Sequence, residues 1–165
     1  MSPDGRAWLV GLEGGVRLRA YRDSAGIPTI GVGQTYFLNG GRRKRVEMGD
    51  SFATKGAALE SFDKVLAEFE AAVDAATRDD ITQAEFDSFV AFAFNIGIQG
   101  FNRSTALRRF NDGAGAASIA DAMRMWNKAD GKISVGLMER RDCEAEAFLF
   151  AKYRFQGDRL ERRIA

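Results

Sequence analysis

The chain contains no histidine among its 165 residues. That absence excludes Ser-His-Asp and Cys-His catalysis of the usual kinds. It also argues against a zinc hydrolase site, which leans on imidazole ligands. Acid–base chemistry must come from carboxylates, lysine, tyrosine or the lone cysteine. Cys143 is the only cysteine, so no intramolecular disulfide can form. It sits in Arg141-Asp142-Cys143-Glu144-Ala145, a helical pattern without a partner histidine, and reads as a packing or surface residue. Net charge is nearly absent at +1, which argues against a nucleic-acid partner. The opening Met1-Ser2-Pro3-Asp4 has no basic stretch leading into an apolar core, and no apolar run reaches transmembrane length. Neither a secretory signal nor stable membrane insertion is expected. Internal repeats and low-complexity segments are lacking as well.

What is present is ordinary for one globular domain: 45% apolar and 28% charged residues. Basic charge is concentrated in Arg42-Arg43-Lys44-Arg45 and in the 159–163 cluster. Both read as solvated faces, with attraction to an anionic polymer or membrane surface as the alternative.

Along the chain, Ser2 and Pro3 predict an N-cap and first helical position. Trp8, Leu9 and Leu12 follow at helical spacing, and Gly14-Gly15 stops the helix with Glu13 on its last turn. Residues 16–21 alternate partially, Asp23-Ser24-Ala25-Gly26 is a turn signature, and residues 27–32 read as a strand. Asn39-Gly40-Gly41 predicts a hairpin turn. From Thr54 to Ala76, Leu59, Phe62, Leu66, Phe69 and Val73 recur at helical steps. Thr82-Gln83-Ala84-Glu85 is a capping box opening a helix that ends near Gly97. Short helices are expected around 103–111 and 116–126, and a long one over 134–151. The thirteen phenylalanines lie mostly on helices and read as core. The expected fold class is α+β, in one domain over 1–165. A small β-rich lobe covers about 14–53. A larger helical lobe covers about 54–165 plus the N-terminal helix 3–13, with a long helix between the lobes and a ligand cleft between them.

Glycoside hydrolysis needs one carboxyl held neutral, to protonate the leaving oxygen, and a second ionised group. Glu13 suits the first role, because the negative end of a helix dipole and apolar neighbours disfavour the carboxylate. Asp23 suits the second, in a polar turn with free backbone donors. Opposed environments are the mark of such a pair. Thr29 could help hold a water. Gly31 and Gly33 could let a sugar approach the backbone or simply bend the strand. Spacing alone leaves the surface-charge reading open, since the chain carries 23 acidic residues.

The run from Glu13-Gly14-Gly15-Val16-Arg17 through Tyr21-Arg22-Asp23 to Thr29-Ile30-Gly31-Val32-Gly33-Gln34-Thr35 resembles the active-site signature of the phage-type lysozymes, glycoside hydrolase family 24. Phe94-Asn95-Ile96-Gly97 through Ser104-Thr105 resembles the family's helical-lobe motif. Trp126-Asn127-Lys128-Ala129-Asp130-Gly131-Lys132, with Arg140-Arg141, resembles its C-terminal motif. The resemblance implies a lysozyme-like fold and a muramidase that hydrolyses the β-1,4 bond between N-acetylmuramic acid and N-acetylglucosamine in peptidoglycan, inverting and without a cofactor. Glu13 would be the general acid, with Asp23 and Thr29 positioning water. Gly31, Asn95 and Arg140 would contact substrate, and Arg140 would approach the acid across the cleft. The family further implies a monomeric endolysin made in the host cytoplasm, reaching the wall after a holin permeabilises the membrane. The alternatives are a non-hydrolytic peptidoglycan-binding protein and a lytic transglycosylase.

Two departures from the family pattern stand out. Glu13 and Asp23 are ten positions apart rather than nine, because Gly14-Gly15 replaces one small residue, while Asp23 to Thr29 keeps its spacing of six. Position 34, often histidine in this motif, is Gln34. Glycine is expected to absorb the extra residue at the helix end, and activity is expected to survive both changes.

Overall fold

The computed structural model describes residues 1–23 and 25–155. Ser24 and the 159–163 basic cluster lie outside the described residues. The chain forms two compact units: Glu13–Glu68, and Met1–Leu12 together with the chain from Phe69 onward.

In the first unit, β1 (Arg17–Arg22) and β2 (Pro28–Gly31) pair antiparallel, with Arg17 opposite Gly31, Tyr21 opposite Thr29, and an irregularity between. The other edge of β1 is covered by residues 50–52: Ala20 N donates to Asp50 O (2.9 Å) and Phe52 N to Leu18 O (2.8 Å). β3 (Tyr36–Asn39) and β4 (Arg42–Arg45) form the predicted hairpin. Its two-residue turn, Gly40-Gly41, has φ of 54° and 77°, the backbone that matches strand twist and that glycine adopts without strain. All four basic residues of β4 are exposed. Arg43 stacks over the Tyr36 ring at 4.7 Å and reaches Glu68 Oε2 at 3.0 Å, an oxygen that also accepts from the Tyr36 hydroxyl at 2.8 Å. The long helix α2 (Lys55–Ala76) opens with Thr54 Oγ1 accepting from Ala57 N at 3.1 Å. It buries Ala58, Phe62, Val65 and Leu66, and the division between units falls inside it.

The second unit is helical. Helix α1 (Pro3–Leu12) is capped as expected, Ser2 Oγ accepting from Gly5 N at 2.9 Å. The Thr82–Glu85 capping box opens α3 (Gln83–Ile96). Then come α4 (Ile98–Asn102), α5 (Thr105–Asn111), α6 (Ala116–Arg124), a hairpin of β5 (Lys128–Ala129) and β6 (Lys132–Ile133), and α7 (Val135–Phe150). Phe89 is the hub of the core, with ring centroids 5.3 Å from Phe101, 5.3 Å from Phe110 and 5.1 Å from Phe148. The buried carboxylate of Asp87 ties Ser2 and Tyr153 to α3. It accepts from Ser2 N (2.9 Å), Gln83 Nε2 (2.8 Å) and the Tyr153 hydroxyl (2.7 Å). Position 5 of α1 is glycine because Asp87 leaves no room for a side chain: a Cβ there would lie 2.3 Å from its Oδ2.

Arg140 and Arg141, adjacent cations on α7, are buried rather than solvated. Side-chain exposures are 5% and 0%, and Glu144, also at 0%, lies 3.0 Å from each guanidinium. Arg140 further donates to Ala91 O (3.4 Å), and Arg141 stacks on Phe92 (4.9 Å) and bonds Asn95. Burial forces such pairing, since a lone charge out of water is costly. Cys143 is buried, and burial pushes its thiol up to about 11.

Two outcomes follow. Glu144→Ala removes a carboxylate that two buried guanidinium groups share, and its unfolding free energy in a denaturant titration should fall by about 3–5 kcal/mol. Burial and carboxylate hydrogen bonds raise the Tyr36 and Tyr153 hydroxyls to about 12. Their folded-state values lie above the unfolded value of about 10. The stability they contribute is therefore complete below about pH 10 and lost as pH rises toward 12. Melting temperature should drop across that window, and less steeply in Tyr36→Phe.

Candidate active site

Helix α1 stops one residue earlier than expected. Glu13 lies in the turn after it, because Gly14 and Gly15 adopt φ of 78° and 87° and end the helical hydrogen bonding. A Cβ at either glycine would meet nothing within 4 Å, so glycine is required there for its backbone alone. The additional residue before Asp23 is thus taken up in left-handed backbone.

Strand β2 also ends earlier than the expected 27–32. Gly31 (φ 64°) and Gly33 (φ 67°) reverse the chain, and Ile30 and Gln34 exchange backbone hydrogen bonds of 2.9 and 3.0 Å. This tight turn positions Glu13. A Cβ on Gly33 would lie 2.6 Å from Glu13 Oε2 and 3.2 Å from its carboxyl carbon. The carboxyl group therefore occupies the space a side chain at 33 would need. At Gly31 the equivalent space is held by Gln34, whose Oε1 would sit 2.4 Å from a Cβ. Gln34 is 1% exposed, and its Nε2 donates to Ser61 Oγ of α2 at 3.1 Å.

Asp23 caps the turn into β2. Its Oδ1 accepts from Ala25 N (2.9 Å) and Ile27 N (2.8 Å), while its backbone N–H donates to Ile27 O (3.0 Å). Two amide dipoles aimed at one oxygen fix the side chain. Thr29 is buried, and its hydroxyl donates to Ile27 O at 3.0 Å. With its proton committed, Thr29 Oγ1 can only accept from a further partner. Tyr21 faces Thr29 across the strands, and its hydroxyl is raised chiefly by burial, opposed by Arg17, and raised further by the charges of Glu13 and Asp23. Both acids thus act on one phenol.

Glu13, Asp23, Thr29 and Gly31 all belong to the β-rich unit. Asn95 and Arg140 belong to the helical one, where Asn95 and Glu144 both hold Arg141, and Glu144 holds Arg140. The sequence offered Gly33 as a point of sugar approach or a strand bend rather than as the seat of Glu13, and it did not single out Tyr21. The available signal for Gly33 was its alternation with Gly31; for Tyr21 it was only its place two residues before Asp23.

The phage lysozyme family model matches residues 12–144. The chain is similar to the endolysin of Salmonella phage P22, with 38% identity over 137 residues, covering 83% of this chain and 90% of that protein. Among solved structures, the endolysin of Escherichia coli O157:H7 phage FAHEc1 superposes with a TM-score of 0.80 at 38% identity, covering 93% of this chain and 95% of that one. The muramidase domain of SpmX from Asticaccaulis excentricus superposes at 0.74 with 30% identity, covering 90% and 96%. The chain belongs to the phage lysozyme family: its fold is the mixed helical and small-sheet fold of those endolysins, and it is a peptidoglycan-degrading lysozyme.

Gly33→Ala should displace the Glu13 carboxyl and lower wall-degrading activity by roughly 100-fold, the scale of an ångström-sized misplacement. Gly40→Ala, with φ of the same sign but open space around it, serves as the control. It should lose about 1–2 kcal/mol of stability and keep its activity. Clearing rates on purified wall, read beside melting curves, separate the two.

Proposed function

We propose that Glu13 is the general acid of this lysozyme, and that Asp23 and Thr29 hold the attacking water. Glu13 gives its proton to the glycosidic oxygen between N-acetylmuramic acid and N-acetylglucosamine as the C1–oxygen bond breaks. Water adds to C1 and Asp23 takes its proton, so the anomeric configuration inverts. The observation that carries this reading is the fit of the Glu13 carboxyl against the bare α-carbon of Gly33, in the turn that follows Thr29 on β2. The hydrogen bonding of the other two residues supports it. Asp23 Oδ1 is taken by amides, and Thr29 Oγ1 has given its proton to Ile27. A water meeting Asp23 Oδ2 and Thr29 Oγ1 finds two acceptors. It spends both hydrogens on them and keeps a lone pair for C1. Gly31 serves in this reading through the turn it opens, and Asn95 and Arg140 are candidate substrate contacts of the helical unit.

The substrate is the glycan strand of peptidoglycan, and no cofactor takes part. Among the described residues no helix is long and apolar enough to cross a membrane. By family likeness we read the chain as a monomeric endolysin, made in the host cytoplasm and admitted to the wall through a holin pore.

Incubating purified wall with the intact chain and with Glu13→Gln, and weighing the fragments, tests the assignment. The intact chain should release fragments with new reducing ends, and Glu13→Gln should be at least about 100-fold slower. Anhydro-muramic ends would establish a transglycosylase instead. Equal inactivity of both would leave a binding protein.

A further inference from the structure

The chain has three tyrosines, and two of them spend their hydroxyls on carboxylates: Tyr36 on Glu68 at 2.8 Å and Tyr153 on Asp87 at 2.7 Å. Tyr21 does not. It lies opposite Thr29 in the β1–β2 register and two residues before Asp23. The charges of both Glu13 and Asp23 reach its phenol, yet among the described residues its hydroxyl makes no hydrogen bond. The ring itself is fixed. It is half-buried, and the Arg17 guanidinium carbon stands 4.3 Å from its centroid, a stacking geometry that holds the ring and covers one face. A rigid phenol beside two carboxyl groups, with its donor unspent, is arranged to meet something that is not protein.

We propose that Tyr21 is a substrate-positioning residue of this lysozyme: its hydroxyl donates a hydrogen bond to a hydroxyl or N-acetyl oxygen of the sugar at the bond being cut, while Arg17 holds its ring. This rests on the assignment of Glu13 and Asp23 as the reacting pair. The direction of the bond follows from the surroundings. Burial raises the phenol above its ordinary range and so keeps it protonated, and it enters the site as a donor. The sugar, rich in hydroxyl and carbonyl oxygens, supplies the acceptor that neither carboxyl group takes up. Arg17 lies opposite Gly31 across the same pair of strands, so the stack is built into the ladder that carries Thr29.

Tyr21→Phe removes the hydroxyl and keeps the ring and its stack on Arg17. The binding probe is a tetrasaccharide of alternating N-acetylglucosamine and N-acetylmuramic acid. Its Kd is measured by calorimetry on Glu13→Gln and on the Glu13→Gln, Tyr21→Phe double variant. Steady-state kinetics on intact wall fragments compare Tyr21→Phe with the parent. The double variant should bind roughly five- to tenfold more weakly, the worth of one neutral hydrogen bond. Tyr21→Phe should lose kcat/KM by a similar factor, mainly through KM, with its melting temperature unchanged because no protein hydrogen bond is lost. Tyr36→Phe should show the opposite pattern, a lower melting temperature with unchanged KM. A Kd and KM within twofold of the parents overturn the proposal, whether or not melting changes. An active Glu13→Gln variant overturns the acid assignment instead, and is read from turnover rather than from the binding arm.

Discussion

The carboxyl group of Glu13 stands where the side chain of residue 33 would be. Much of the β-rich unit serves that contact. Residue 33 must be glycine for space and for its φ of 67°, and residue 31 must be glycine to turn the chain after β2. The turn is then locked by the paired backbone bonds of Ile30 and Gln34, and by the Gln34 side chain, which fills the gap at Gly31 and reaches Ser61 on α2. The acid is positioned by a covalently short turn tied to a long helix. The arrangement carries a cost, because Gln34 Oε1 is buried without a hydrogen-bond partner among the described residues. Such an orphan acceptor costs about 1–3 kcal/mol. An incompletely satisfied turn beside the proposed acid is the kind of place where a fold gives up stability for geometry.

The second acid is built by different means. Asp23 is held by the backbone of its own turn, within four residues, so its position needs little from the rest of the fold. Thr29 is fixed by the carbonyl of Ile27 and by burial. One acid is therefore positioned by exclusion of a side chain and the other by donated amides. The helical unit has its own demanding element, the buried Arg140–Glu144–Arg141 cluster on α7, which also engages Asn95 and the carbonyl of Ala91 on α3.

Local chemistry was legible in the sequence wherever it was self-contained. Ser2 before Pro3, the Thr82–Glu85 box and the Gly40-Gly41 turn all act within a few residues, and all three behave as their residue types predict. The Asp23 turn was readable for the same reason. What escaped depends on neighbours distant in sequence. The five-residue α4 is too short to show periodicity, and the β5–β6 hairpin has only two residues per strand, around a positive-φ Asp130-Gly131 turn. Arg140 and Arg141 look like a solvated face until α3 is seen to bury them. Gly33 looks like any strand glycine until Glu13, twenty positions earlier, is seen to fill its space. The departure at Gln34 is intelligible only with Ser61 in view: an amide can fill the turn and bond that hydroxyl without a titrating ring.

The proposed mechanism turns on a water, held by Asp23 and Thr29, that would attack the face of the sugar opposite the departing oxygen. Proton nuclear magnetic resonance of the products, recorded before the released sugar mutarotates, reads that event directly. Attack by such a water predicts that the new muramic reducing end appears first as the α-anomer and only later equilibrates. A β-anomer formed first, or a 1,6-anhydro end with no anomeric hydroxyl, would contradict it.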